Sequence, residues 1–123
     1  MFKIQALHHV SLVVADTGKA LGFYHDLLGL PLLPRPDLGF PGAWLQLGQQ
    51  QLHLLQVHNP DPVQDRPQHG GRDRHIAVNI DSLDELVQAL KKAGISYSRS
   101  RSGRAAVFCR DPDGNGLEFI QAL

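Results

Sequence analysis

The chain has little of what staples or anchors a protein from outside its core. There is one cysteine, Cys109, among 123 residues, which excludes an internal disulfide. Charge of one sign is not in excess: 12 Lys plus Arg stand against 12 Asp plus Glu, a formal net charge of zero. That removes the electrostatic case for nucleic acid or an anionic membrane as a partner. No apolar run approaches the roughly 20 residues that span a bilayer. The opening Met1-Phe2-Lys3-Ile4 passes straight into a strand pattern, without the apolar segment of a signal peptide. These absences point to a cytoplasmic protein. Hydrophobic residues make up 42%, ordinary for a soluble globular domain, and the length suits one domain with its own core.

What the chain does have is a repeat. Leu52–Gln56 reads LHLLQ and Leu117–Gln121 reads LEFIQ, so His53 matches Glu118. Earlier in each half, His9-Val10-Ser11-Leu12-Val13 matches His75-Ile76-Ala77-Val78-Asn79. His9 and His53 are 44 positions apart, His75 and Glu118 43. Between the paired strands each half carries one helical pattern and two more strand-like runs. The chain therefore reads as two copies of a β-α-β-β-β unit. The expected division is a single domain over 1–123, with module 1 at about 1–58, a connector at 59–72 and module 2 at about 73–123.

Glu118 interrupts the apolar strand that follows the turn Asp111-Pro112-Asp113-Gly114-Asn115-Gly116. A carboxylate in a buried strand is costly unless it is paired or bound to a metal. Either Glu118 faces water, or something cationic waits for it. Copies related by a pseudo-twofold axis bring His9, His53, His75 and Glu118 towards that axis. All four are good ligands for a divalent metal of borderline softness. Metal binding is the reading we adopt, with coincidence as the alternative.

Along the chain, strand alternation puts His9, Ser11 and Val13 on one face and Val10, Leu12 and Val14 on the other. His8 reads as structural. A helix is expected from about Asp16 or Thr17 to Leu28, since Ala20, Phe23, Tyr24, Leu27 and Leu28 form one stripe and Gly29 stops it. His25 lies off that stripe and is expected in solvent. Leu30–Leu33 reads as an edge strand and Phe40 as core cover. Ala43–Leu47 and Gln51–Val57 read as a hairpin. The polar connector His58–Arg74 reads as a lid or dimer arm, with His58 and His69 on a solvated loop and not spare ligands. In the second half, Ser82-Leu83-Asp84-Glu85 is a capping box; Leu83, Leu86, Val87 and Leu90 are a helix stripe that ends at Gly94. Ile95–Arg99 and Ala105–Cys109 read as strands, and Cys109 as a buried strand residue, not a nucleophile. Arg99, Arg101 and Arg104 between them read as a solvated hairpin tip, with an anion-binding role as the alternative.

Three stretches carry a family resemblance: LHHVSLVVAD followed by FYHDLLGL, then LQLGQQQLHLLQ, then RHIAVNIDSLDELVQALKKAGI with RDPDGNGLEFIQ. They span nearly the whole chain, in order. They resemble the vicinal oxygen chelate superfamily, the fold of glyoxalases, bleomycin-resistance proteins and extradiol dioxygenases. The resemblance implies an α+β fold of two βαβββ modules forming an open, cupped mixed β-barrel around a metal, with the helices outside. In metal-dependent members the ligands come from the first and fourth strands of each module, here His9, His53, His75 and Glu118. Glyoxalase I commonly has Glu where this chain has His53, and methylmalonyl-CoA epimerase usually has Gln. Dioxygenases and fosfomycin-modifying enzymes use two His and one Glu. Bleomycin-binding members typically lack the ligand set.

The activity so implied is that of a metal-dependent glyoxalase-like lyase or isomerase, acting on a small substrate with vicinal oxygens. The metal would be Ni, Zn, Co, Mn or Fe, and Glu118 the catalytic carboxylate. The alternatives are a ring-cleaving dioxygenase, in which His53 is an acid/base beside an iron held by His9, His75 and Glu118, and a fosfomycin- or bleomycin-type resistance protein. The expected partners are the small-molecule substrate and a second copy in a homodimer.

Overall fold

The computed structural model describes Met1–Ala122. Two compact units divide the chain, the first Met1–Pro60 and the second beginning at Asp61. The elements of the first unit are β1 (His9–Val13), α1 (Thr17–Leu21), a π-helical continuation (Gly22–Leu27), β2 (Leu32–Leu33), β3 (Gly42–Leu47) and β4 (Gln50–Leu55). In the second, a 3₁₀ turn (Gly70–Arg72) precedes β5 (His75–Ile80), α2 (Leu83–Lys92), β6 (Tyr97–Arg99), β7 (Ala106–Arg110) and β8 (Gly116–Gln121).

Each unit is one open four-stranded mixed sheet, in the order β1-β4-β3-β2 or β5-β8-β7-β6. β1 runs parallel to β4 and β5 parallel to β8; the other pairs are antiparallel. The protein is thus α+β, built of two βαβββ modules. The repeat extends to the register. Ser11 pairs with His53 as Ala77 pairs with Glu118, and Trp44 with His53 as Phe108 with Glu118. Among the described residues, no helix is long and apolar enough to cross a membrane.

Alternation assigns the faces. Leu45, Leu52 and Leu54 are almost fully buried with Phe23 and Tyr24 of the helix. In the second unit Leu117, Phe119 and Val107 are buried, as are Leu83, Leu86, Val87 and Leu90 of α2. Each such side chain contributes roughly 1.5–3 kcal/mol when removed from water. His53 and Glu118, one residue out of phase with these leucines and phenylalanines, are left on the other face of their sheets.

The helix ends are tied in parallel ways. Asp16 Oδ1 accepts the Lys19 amide and Ser82 Oγ the Glu85 amide. Gln56 Oε1 takes the Thr17 amide at 2.8 Å, and Gln121 Oε1 takes the Leu83 amide at 2.7 Å. The last residue of each repeated strand motif thus fastens the start of its module's helix. Gly29 (φ 75°) and Gly94 (φ 71°) stop the helices in the left-handed conformation.

Two expectations need correction. The first helix is α-helical only to Leu21 and then widens, with the Leu28 amide bonding to Phe23 O at 3.0 Å, five residues back. Gly22 opens the widened segment. As a result His25 is not a solvent residue: it is half-buried, and its Nδ1 donates to Leu30 O at 2.8 Å. The connector is also more structured than a solvated loop. His69 is half-buried, edge-on to Phe108 and 3.1 Å from Ser98 Oγ. His58 does face solvent.

Candidate metal centre

The second unit brings His75 and Glu118 together. Glu118 is 6% exposed, and among the described residues no backbone N–H is given to its carboxylate. Its Oε1 lies 3.1 Å from His75 Nε2. Its Oε2 lies 3.7 Å from Arg104 Nη1, a half-exposed contact that water screens. His75 Nδ1 is 2.8 Å from the carbonyl of Asp73, which can only accept, so Nδ1 carries the hydrogen. Nε2 of a neutral ring then presents a lone pair to a carboxylate oxygen. Two acceptors at that separation repel unless a proton or another cation lies between them. Two ligand bonds of about 2.0–2.2 Å meeting near a right angle put nitrogen and oxygen about 3 Å apart. The observed spacing therefore suits one edge of a coordination polyhedron as well as an imidazolium–carboxylate pair.

In the first unit His9 and His53 meet. Their rings are stacked, with centroids 4.1 Å apart and planes inclined by 18°. Trp44 covers the opposite face of His53 at 4.3 Å. His53 Nε2 donates to Gln51 Oε1 at 2.9 Å, which leaves the Nδ1 lone pair. His9 Nδ1 is 2.8 Å from His8 Nδ1, so His8 touches the pair. Stacked rings confine their lone pairs to two nearly parallel planes. A shared cation needs lone pairs that converge, so one ring has to turn before both can bind one ion.

The His53 pKa lies below its ordinary value of 6.5, first because burial disfavours the imidazolium and then through the charges of His9, His8 and Arg35. A neutral imidazole is the form a metal needs. The sign for folding follows. The unfolded chain takes up a proton at about 6.5 and the folded chain only at lower pH. Stability from this group is present above the unfolded value and is lost as pH falls towards the folded one. Thermal melts of metal-free protein between about pH 7 and pH 5 should show this slope, and His53→Gln should flatten it.

A cavity of about 350 Å³ in the second unit reaches from His75 and Glu118 past Phe108 and His69 to Arg101 and Arg104. That is within the range of small-molecule sites. Arg101 and Arg104 are exposed, as expected, yet they also border this cavity, which their spacing in the sequence does not reveal. Cys109 is buried, and burial followed by the Asp111 charge pushes its thiol up to about 12. It is a core residue and not a nucleophile. Asp73 lies below the usual carboxylate range: burial acts to raise it, but the Arg110 hydrogen bond, the Arg74 amide and the Arg66 charge outweigh that.

The structure brings together His9 with His53 in the first unit and His75 with Glu118 in the second. Among the described residues no group of three or more His, Cys, Asp or Glu is gathered for a metal ion. The donor chemistry still fits a divalent metal: three imidazoles and a buried carboxylate, one pair at ligand-edge spacing.

Residues 6–119 match the Glyoxalase/Bleomycin resistance protein/Dioxygenase superfamily. The chain is 34% identical over 127 residues to a lactoylglutathione lyase of Neisseria meningitidis, covering 94% of this chain and 89% of that one. It is 31% identical over 119 residues to the glutathione transferase FosA of Serratia marcescens, covering 94% and 80%. The crystal structure of a putative glyoxalase family protein from Bacillus anthracis superposes with a TM-score of 0.81 at 26% identity, covering 100% of this chain and 99% of that one. A duplicated βαβββ unit, matched over almost its whole length, decides the family: the chain belongs to the glyoxalase/bleomycin resistance protein/dioxygenase superfamily.

Proposed function

We propose that the protein is a metal-dependent lyase or isomerase of the glyoxalase type, with His9, His53, His75 and Glu118 as ligands and Glu118 as the catalytic carboxylate. The observation that carries this is the second-unit pair. Nδ1 of His75 is committed to a carbonyl, so Nε2 faces the Glu118 carboxylate at 3.1 Å, a spacing that two ligands of one ion can have. The relation to lactoylglutathione lyases supports the reaction class. A bound divalent metal supplies Lewis-acid polarisation of a substrate carbonyl. Glu118 takes the proton from the neighbouring carbon and returns it to the adjacent one. The cavity beside the pair is large enough for a small substrate with adjacent oxygens.

The test is elemental analysis of wild type and His53→Ala, each loaded with Ni, Zn, Co, Mn or Fe. Wild type should hold metal stoichiometrically and consume the hemithioacetal of methylglyoxal and glutathione. His53→Ala should hold it more weakly by well over the roughly 10–100-fold that loss of an outer-shell partner costs. Wild type inactive with every metal would end the glyoxalase reading. We further propose a homodimer, read from the mass in solution by light scattering.

A second reading is transfer of a thiol to an antibiotic, favoured by the 31% identity to a glutathione transferase. It predicts a glutathione adduct as product in place of an isomer. Mass spectrometry of the reaction distinguishes the two.

A further inference from the structure

Asp73 stands two residues before His75. Its carboxylate accepts Arg110 Nη1 at 2.8 Å, Arg66 Nη1 at 3.3 and 3.4 Å, and the Arg74 amide at 2.9 Å. Arg110 also donates from Nη1 to Gly114 O at 2.8 Å and from Nη2 to Pro67 O at 2.7 Å. One guanidinium thus ties the connector, the residues before β5 and the β7–β8 turn. The end of that chain of contacts is the Asp73 carbonyl, which receives His75 Nδ1–H at 2.8 Å.

The fold does not require this arrangement, because the first module does without it. The residue two before His9 is Leu7, exposed to 62%. Gln46 occupies the register position of Arg110, since it pairs with Gln51 as Arg110 pairs with Gly116. Among the described residues its side chain reaches only the carbonyls of Gly48 and Gln50 in its own hairpin. His9 correspondingly has its Nδ1 against His8 and, among the described residues, against no carbonyl.

We propose that Arg110 and Asp73 are positioning residues: they hold His75 by its Nδ1–H so that Nε2 is the nitrogen presented to Glu118 and to a metal. A carbonyl that fixes the far nitrogen of a metal-binding imidazole sets both tautomer and ring orientation. This inference rests on the reading of His75 as a ligand. It adds that the ion-pair network acts through one ring, and is more than surface electrostatics.

The test uses full-length protein with ¹⁵N-labelled histidine. In metal-free wild type the His75 Nδ1–H should be visible and protected from exchange with water. In Arg110→Met it should exchange at least about tenfold faster, and zinc, measured by chelator competition, should bind about 10–100-fold more weakly. A network that only stabilises the fold would lower the melting temperature and leave both readouts unchanged, and that result would overturn the proposal. If Arg110→Met does not fold, Asp73→Asn, which keeps the carbonyl and loses the charge, is read in the same way. Protection present in wild type and lost in Arg110→Met, in a protein that binds no zinc, would sustain the positioning role and sink the metal reading.

Discussion

Glu118→Gln is expected to lower turnover of the hemithioacetal by about 10²–10⁴-fold, the range for removing a general base, while leaving the metal-free fold as stable as wild type or slightly more so. The two halves of that expectation have separate causes. Turnover needs a group that accepts a proton, and an amide cannot. Metal affinity also falls, because a neutral amide oxygen is a poorer ligand than a carboxylate. Stability responds differently. Glu118 is buried at 6% exposure, and a buried charge stabilises only where its partners offset the lost hydration. Its partners are His75 Nε2 at 3.1 Å and the half-exposed Arg104 at 3.7 Å. A glutamine of the same shape can give an N–H to Nε2 of a neutral His75, whose other nitrogen already donates to Asp73 O. The mutant pair is satisfied without any charge. Steady-state kinetics on metal-loaded protein and thermal melts of metal-free protein check both parts. If the melting temperature drops by several degrees with turnover intact, Glu118 is a structural partner of His75 and nothing more.

Much of this was legible in the residues, and the reason is periodicity. A repeat of 43 or 44 positions between ligand-type residues, with period-two alternation around each, already implies two sheets of the same design. The observed register, Ser11 against His53 and Ala77 against Glu118, is the same pattern in space. Gly29, Gly94 and Ser82 mark helix ends because their chemistry is local. What stayed hidden is non-local or subtle. The stripe Ala20, Phe23, Tyr24, Leu27 and Leu28 spans about two turns, too few to tell a four-residue hydrogen-bond step from a five-residue one. The connector reads as a loop because its polar residues find their partners far along the chain: Asp73 with Arg110, His69 with Ser98 and Phe108. The stacking of His53 between His9 and Trp44 depends on ring orientation, on which a strand pattern is silent.

The second buried carboxylate of this unit should behave in the opposite way, and Asp111→Ala is expected to cost about 3–5 kcal/mol. Asp111 is 5% exposed. Its Oδ1 accepts the amides of Asp113 at 2.8 Å and Asn115 at 2.9 Å, and its Oδ2 accepts Asn115 Nδ2 at 2.9 Å. Its own backbone closes the same turn, with the Gly114 amide on Asp111 O at 3.0 Å and the Asp111 amide on Asn115 O at 2.9 Å. Hydrogen bonds to a charged acceptor are worth about 1.5–3 kcal/mol each. Alanine leaves three donors without the acceptor around which the turn is folded. For a chain of this size the melting temperature should fall by roughly 10–20 °C. Asp111→Asn keeps one acceptor oxygen and should cost less than half as much. The turn also carries Gly114, whose carbonyl receives Arg110. Loosening it should therefore weaken zinc binding as well, in the same direction as Arg110→Met. Melts that leave Asp111→Ala within a few degrees of wild type would mean that glycine and proline alone fold the turn. A large loss would instead show that two carboxylates seven residues apart, both buried, differ in what they hold: Asp111 is satisfied by its own loop, whereas among the described residues Glu118 receives no backbone hydrogen and faces His75 and Arg104.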